Sequence, residues 1–255
     1  MDKGHTINVL DHGFVRYVDH MGTDLRVAET ARVSYKSPSK GEEEDKKLLG
    51  YLYKNRHTSP FEMNKVMFNI KMPIFVARQY IRHRMQNVNE VSARYTELPN
   101  EFYVPARWRV QDKKNKQGSH PVEGDIFFQP NHDNNPFMAS DEQPPVITHK
   151  DLFNKVMKHC EDSYKVYEEL LRIGVAREMA RTVLPLNIYT EMYVCWDLKN
   201  LLHFIELRDD SHAQAEIQDY GKAIKTICKE LFPVIMYLYE RYKFKCFDTE
   251  KGELT

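Results

Sequence analysis

Large apolar residues recur at every second position just before a proline, and this feature most constrains the fold. Across residues 65–72 they stand at Val66, Phe68, Ile70 and Met72. An alternation of period two is typical of a β-strand with one buried face. Pro73 follows at once, and its fixed φ suits the first position of a helix. The sequence therefore predicts a half-buried strand that leads directly into a helix.

The predicted helix opens a segment, residues 73–95, that is unusually rich in arginine: Arg78, Arg82, Arg84 and Arg94. Positions four apart lie on one helical face, so Arg78 and Arg82 point the same way. Residues 85–90 predict an irregular segment and residues 91–95 the start of a strand. Arginine offers donors but no acceptor, so several converging on one place require an anionic ligand or acidic partners. Both a ligand site and an ordinary solvated face paired to acids elsewhere satisfy this pattern.

Hydrophobic periodicity predicts both helices and strands in the rest of the chain. Strands are expected within residues 7–21, 96–105 and 187–196. Helices are expected from Thr23 or Asp24 to Ala31, then over 42–56, 150–173 with Gly174 as its stop, 175–184, 213–231, and after Asp197 as an N-cap. The sequence contains no internal repeat and no clear linker, which favours one domain over residues 1–255.

Residues 106–149 form a long polar stretch without periodicity, predicted to be an insertion, a functional loop or a disordered segment. Apolar residues within it indicate that part of it packs: Phe127, Phe128, Phe137 and Met138.

Charge and cysteine content limit the function classes. Lys plus Arg and Asp plus Glu both number 37, so no overall field attracts a polyanion. The widely spaced cysteines predict reduced thiols in a cytoplasmic protein, and no apolar window reaches the length of a membrane span. They are Cys160, Cys195, Cys228 and Cys246.

Two common kinds of ligand site are missing from the sequence. Its ten glycines form neither the dinucleotide-binding nor the P-loop pattern, so a bound nucleotide must be held by arginines, helix ends and polar side chains. No Cys and His spacing predicts a zinc site, and no metal is expected.

Three motifs together resemble one enzyme family. Arg82-His83-Arg84, followed after seven residues by Ser92 within N-E-V-S-A-R-Y, resembles the signature of the flavin-dependent thymidylate synthases. The stretches A-R-E-M-A-R-T-V-L-P-L-N (176–187) and L-R-D-D-S-H-A-Q-A-E-I-Q (207–218) resemble the distal motifs of that family.

The resemblance implies an α+β fold, a single domain with a mostly antiparallel central sheet flanked by helices, assembled as a homotetramer with shared active sites. The implied cofactor is FAD and the implied substrate is dUMP. Methylene would come from 5,10-methylenetetrahydrofolate, and NADPH would reduce the flavin.

Site residues follow from the resemblance, position by position. Flavin contacts are implied for Ser59, with His57 as a further candidate, and for Arg82, His83, Arg84, Glu90, Asp197, Lys199 and His203. Substrate contacts are implied for Gln79, Arg82, Glu90, Ser92, Ala93, Arg94, Arg181 and Arg208. Arg208 is the catalytic candidate, because a fixed cation would stabilise charge that develops on a uracil ring.

Two positions depart from the family pattern, and a third position, Ser92, has a second interpretation. Asp197 and His203 stand where the family commonly has Asn beside the flavin, which leaves the adenosine end of the site open. Ser92 could act as a nucleophile, but no base stands near it in the sequence, and a phosphate-binding role is preferred.

Two other functions fit parts of the sequence. The first is an RNA-binding module that uses Arg78, Arg82, Arg84 and Arg94 as a basic patch, although no aromatic residues are interleaved on that helix face. The second is a flavin-free nucleotide hydrolase or kinase, for which Asp209 and Asp210 are the only tempting acid pair.

Overall fold

The computed structural model describes residues 1–116, 118–128 and 146–242. Its strands are β1 (Thr6–Val9), β2 (Gly13–Met21), β3 (Lys65–Pro73), β4 (Gln86–Glu90), β5 (Arg109–Gln111), β6 (Ser119–Pro121), β7 (Ile126–Phe128), β8 (Ile147–Thr148) and β9 (Tyr189–Asp197). Its helices are α1 (Asp24–Arg32), α2 (Glu42–Lys54), α3 (Ile74–Tyr80), α4 (His149–Arg172), α5 (Arg177–Ala180), α6 (Leu198–Arg208), α7 (Ala215–Leu231) and α8 (Pro233–Arg241).

A five-stranded sheet with the order β1-β2-β3-β9-β4 forms the centre of the part described, and all its pairings are antiparallel. The predicted alternation is confirmed, because Val66, Phe68, Ile70 and Met72 are all fully buried. Helices α1, α2, α6, α7 and α8 cover this face. The mixed α and β class, the single domain and the mostly antiparallel sheet are thus confirmed.

Pro73 differs from its predicted place. It is the last residue of β3 and the N-cap of α3, with an extended ψ of 144°, rather than the first helical residue. Its pairing opposite Tyr189 of β9 keeps it in the sheet. Because α3 is only seven residues long, Arg82 and His83 lie in turns just beyond it, where their N–H groups donate to the carbonyls of Gln79 and Tyr80.

The prediction for residues 85–95 was wrong, because the strand and the irregular segment occur in the opposite order. The stretch expected to be irregular forms β4, which pairs with β9, and the expected strand at 91–95 is a turn in which Tyr95 N donates to Ser92 O. Two asparagines lower the strand propensity of β4, but the free edge of β9 supplies backbone partners that outweigh it.

The described part of the polar segment after Pro105 contains two small antiparallel ladders, β5 with β6 and β7 with β8. Phe127 packs edge-on against His149, whereas Phe137 and Met138 lie outside the described residues. A strand was predicted at residues 96–105, but the structure has only an isolated antiparallel β-bridge there, between Phe102 and Ile188.

Most helices lie close to their predicted bounds. A capping box between Thr148 and Asp151 starts α4 one residue earlier than predicted, and Gly174 follows its end with a φ of 88°. Cys160 and Cys228 are buried free thiols, Cys195 is half-buried, and Cys246 falls outside the described region. No helix in that region is long and apolar enough to cross a membrane.

Gly13 allows α7 to lie against the sheet. A Cβ at this position would stand 2.1 Å from the hydroxyl oxygen of Tyr220 and 2.8 Å from the carbonyl oxygen of Lys71. These are the two atoms of one hydrogen bond, in which the Tyr220 hydroxyl donates to Lys71 O at 2.8 Å. A side chain at position 13 would therefore push the helix off the strand.

We expect Gly13→Ala to lower the free energy of unfolding by about 1–3 kcal/mol, as overpacking does. Gly50→Ala is the matched control, because the nearest atom to a Cβ there is 3.8 Å away and alanine favours the α2 helix. Urea unfolding of both variants measures the difference. Equal stability of the two would show that the sheet and α7 tolerate the added methyl group.

Candidate active site

A cavity of about 860 Å³ opens beside the C-terminal end of α6. Gln79, Arg82 and Arg208 line one side, and the loop before α7 contributes Ser211 to Gln214. The hairpin formed by β5 and β6 lines the opposite side through Arg109, Gln111, Asp112, Asn115, Gly118, Ser119 and His120. Three residues predicted to bind the substrate thus share one space.

Arg208 is held by His83. Its Nε donates to Nε2 of His83 at 2.9 Å, so this imidazole must accept and carries its proton on Nδ1. Burial, with smaller contributions from Arg208 and His203, lowers the pKa of His83 to about 4. Burial also lowers the pKa of Arg208, which nevertheless stays a cation at any working pH. A neutral histidine therefore positions the arginine and leaves its two Nη groups for other acceptors.

The backbone of Arg208 is fixed from behind by α7. A Cβ on Gly221 would stand 3.1 Å from the carbonyl carbon of Arg208, so glycine permits this close approach. The next residue, Asp209, forms a mostly buried ion pair with Lys225 at 2.7 Å. The end of α6 is therefore tied to α7 at Arg208 itself and at the residue that follows it.

A second cavity, of about 300 Å³, is lined by residues of α2, α6, α8 and the turn at residues 57–61. Its polar lining consists of Arg56, His57, Thr58, Lys199, His203 and one acid, Glu206, and its apolar and aromatic lining consists of Leu52, Tyr53, Phe61, Leu202 and Tyr239. The rings of His83 and His203 are 6.4 Å apart, centroid to centroid. Aromatic walls with basic groups suit a planar ring that carries an anionic chain, and these residues therefore fit a flavin.

Several predicted flavin contacts meet here, but not all. Lys199 and His203 line the second cavity together with His57, and Ser59 lies two residues beyond His57 in an exposed turn. Asp197 instead uses both carboxylate oxygens to cap α6, accepting from Asn200 N at 2.9 Å and from Asn200 Nδ2 at 2.8 Å. A flavin contact for Asp197 stays a prediction.

A third group of predicted residues lines neither cavity within the described chain. Ser92, Ala93 and Arg94 form the turn after β4, where Ala93 is buried and Arg94 pairs with Glu178 of α5 at 3.2 Å. Arg181 follows α5 and is exposed. Glu90, at the end of β4, accepts from the Thr190 hydroxyl at 2.6 Å.

The arginines differ in their ion pairs. Within the described ranges, Arg78, Arg82, Arg84 and Arg181 have no acidic partner at ion-pair distance, whereas Arg94 has Glu178. A solvated face paired to acids elsewhere was the plainer interpretation of this segment, and most of its cations do not follow it. Of these four, Arg82 lines the first cavity, and an unpaired guanidinium there favours an anionic ligand.

The acid pair suspected of binding a metal does not form a cluster. Asp209 contacts Lys225, and Asp210 accepts from His212 N at 2.8 Å. Across residues 1–116, 118–128 and 146–242, no three His, Cys, Asp or Glu side chains gather in a way that could hold a metal ion. The hydrolase alternative would need such a cluster.

Sequence reasoning missed the residues that line the first cavity opposite Arg208. Arg109 and the rest of the hairpin come from an aperiodic polar stretch that carries no motif. Gln214 and Glu216 stand inside the quoted stretch 207–218, but neither was selected, because their roles depend on contacts with distant elements.

Comparisons with known proteins agree on one family. The sequence model of the family described as thymidylate synthase complementing protein matches residues 16–234. A flavin-dependent thymidylate synthase from Treponema denticola is 45% identical over 245 residues, covering 95% of this chain and 84% of that protein. One from Thermus thermophilus is 47% identical over 242 residues, covering 95% of this chain and 81% of that protein.

Solved structures show the same relationship. The UMP/dUMP methylase PolB from Streptomyces cacaoi, in its crystal structure with 5-Br dUMP, superposes with a TM-score of 0.74 at 29% identity. The match covers 92% of this chain and 97% of that one.

The lowered pKa of His83 predicts a pH dependence of stability. The unfolded chain takes up a proton on this histidine near pH 6.5, whereas the folded chain does so only near pH 4. Stability present above pH 6.5 should therefore be lost as the pH falls from 6.5 towards 4. His83→Gln, which keeps an acceptor for Arg208 but does not titrate, should lose less stability than wild type between pH 7 and pH 5.

Urea unfolding at the two pH values measures this effect, and His159→Gln, at an exposed position on α4, is the control. An identical pH dependence in wild type and His83→Gln would mean that His83 titrates normally in the fold.

Proposed function

This chain belongs to the family of flavin-dependent thymidylate synthases, and we propose that its two cavities hold the nucleotide and the flavin side by side. Its activity is flavin-dependent methylation of dUMP, which displaces the RNA-binding and hydrolase alternatives. The observation that carries the proposed arrangement is the Arg208 to His83 hydrogen bond, because His83 contacts a lining residue of each cavity, Arg208 of the first and His203 of the second.

The proposed reaction transfers methylene from 5,10-methylenetetrahydrofolate to dUMP and yields dTMP and tetrahydrofolate. FAD is the proposed flavin and NADPH its reductant, and the reduced flavin supplies the hydride. The protein contributes binding, orientation and charge. None of its thiols is needed as a nucleophile, which agrees with the buried settings of Cys160 and Cys228.

The proposed flavin site uses basic and hydrogen-bonding groups against an aromatic wall. Lys199 and His203, with His57, would face the flavin in the second cavity. Arg82, which lines the first cavity, and Arg84 are proposed to bind the flavin pyrophosphate, to which an unpaired guanidinium is suited. The remaining proposed contacts are Ser59, His83, Glu90 and Asp197.

Arg208 is proposed to lie against the pyrimidine ring. Attack by C5 on an electrophilic carbon requires electron density from N3 and the carbonyl groups, and a fixed cation stabilises the negative charge that develops there. His83 is neutral, so the positive charge of Arg208 is not balanced by an acid at this contact. His83 accepts only from Nε of Arg208, so the two Nη groups of Arg208 can face the substrate. Gln79 and Arg82 line the same cavity and are proposed to bind the nucleotide.

The other proposed nucleotide contacts, at Ser92, Ala93, Arg94 and Arg181, stand outside this cavity, and Glu90 is proposed to contact both ligands. Their separation within one protomer supports a site completed by a second subunit, and we propose a homotetramer with shared active sites.

Free thiols fit a reducing compartment, and we propose a cytoplasmic enzyme with neither nucleic acid nor membrane as a partner. Residues 1–255 are proposed as one catalytic domain with an insertion at about 106–149.

The visible spectrum of the purified protein tests the proposal. A flavin spectrum that NADPH bleaches under anaerobic conditions, followed by dTMP formation when dUMP and 5,10-methylenetetrahydrofolate are added, would support each co-substrate in turn. A protein that neither carries nor takes up FAD would overturn the proposed cofactor.

Arg208→Ala should retain its flavin and lose about 100-fold or more in the rate of dTMP formation, the usual cost of removing one preorganised electrostatic group. Arg172→Ala is the control, because that arginine is exposed on α4, where it lies 3.9 Å from Glu169. Flavin absorbance and dTMP production are measured on the same samples. Full activity in Arg208→Ala would refute the catalytic role.

A further inference from the structure

The hairpin β5-β6 is joined to α7 by a buried ion pair. Nη2 of Arg109 donates to both carboxylate oxygens of Glu216, each at 2.8 Å. The Glu216 side chain is only 4% exposed. The Tyr103 hydroxyl also donates to Glu216 at 3.2 Å. A buried carboxylate with this many donors is a built feature of the structure, because an unpaired charge there would be costly.

Glu216 is ionised at neutral pH. Burial by itself would raise its pKa, but hydrogen bonds from Arg109 and Gln214 outweigh burial and hold that pKa below its usual value. An ionised carboxylate can only accept hydrogen bonds. Any neighbouring amide group must therefore turn its NH₂ towards Glu216.

Gln214 is that neighbour. Its Nε2 donates to Glu216 Oε2 at 2.8 Å, which leaves its Oε1 as the atom that faces α3. Gln79 of α3 donates its own Nε2 to that oxygen. The charge on Glu216 thus determines the orientation of two amides in succession, and Gln79 is left with its Oε1 and one N–H for a ligand.

We propose that Arg109 and Glu216 are positioning residues for the nucleotide: through Gln214 they set the orientation of the Gln79 amide in the cavity. The inference rests on the proposed role of Gln79 in binding dUMP. The inference also assigns a role to the first part of the polar segment 106–149. The hairpin in that part forms a wall of the cavity and supplies the cation that keeps Glu216 charged.

Glu216→Gln removes the charge and with it the preference for one amide orientation. In flavin-loaded protein we expect the Kd for dUMP to rise about tenfold, the effect of one hydrogen bond, while the flavin spectrum and its bleaching by NADPH stay unchanged. Asp45→Asn is the matched control. Asp45 is equally buried, at 4% exposure, and forms an ion pair with Arg32 at a distance of 2.5 Å. Neither residue lines either cavity.

A double-mutant cycle with Gln79→Ala separates positioning from general destabilisation. If Glu216 acts through Gln79, Glu216→Gln should change the Kd for dUMP less than about twofold in the Gln79→Ala background. An undiminished tenfold effect in that background would overturn the inference. Gln214→Leu, at a half-buried loop position, should reproduce the cycle and decides the matter if Glu216→Gln does not fold.

The two proposals fail in different ways. Wild-type protein that carries flavin but binds no dUMP would overturn the nucleotide site and this inference with it. Wild-type protein that binds dUMP, with additive effects in both cycles, would leave the proposed function standing and remove only the positioning role.

Discussion

The antiparallel ladder between β3 and β9 is the interaction on which the site depends. Nine residue pairs, from Lys65 with Asp197 to Pro73 with Tyr189, hold the two strands together. Each strand leads directly into a helix, α3 from β3 and α6 from β9, and these helices start at opposite ends of the ladder. Both fold back over the sheet, so that Tyr80 meets Phe204 with ring centroids 4.9 Å apart and His83 meets Arg208. The catalytic candidate and the residue that holds it are thus brought together by two strand-to-helix junctions, although they stand 125 residues apart in sequence.

A neutral histidine is a suitable partner for an arginine that is proposed to act on a ligand. An acid in the place of His83 would bind Arg208 more strongly, but it would also cancel the positive charge on which that proposed role depends. Burial beside Phe204 and Trp196 keeps the imidazole uncharged at neutral pH. The aromatic core of the sheet therefore contributes to the electrostatics of the site as well as to its packing.

Local patterns predicted the elements well where burial decides the structure, as in β3, and less well where pairing does. The alternation at Val66 to Met72 was sufficient because each of those side chains is in the core. β4 was missed because its structure comes from the edge of β9 rather than from Gln86, Asn87 or Asn89 themselves. The family resemblance implied Gln79, Arg82 and Arg208, which share one cavity, yet no local pattern could show that Ser92, Arg94 and Arg181 would lie apart from them. That separation is a property of how the turns pack, and sequence spacing does not encode it.

Charge balance explains why the cavity needs a segment from outside the core. The chain has as many acids as bases, so each cation left for a ligand requires that acids elsewhere be satisfied by other groups. Glu216 is such an acid: it lies in the first turn of α7, next to the loop that lines the cavity, and its buried charge would be costly without a partner. Arg109 donates to both of its oxygens from the hairpin, and hydrogen bonds between a guanidinium and a carboxylate are stronger than those between neutral groups. The hairpin thereby satisfies a buried acid beside the cavity, which a polar segment without periodicity can do because this requires one well-placed cation rather than a buried face.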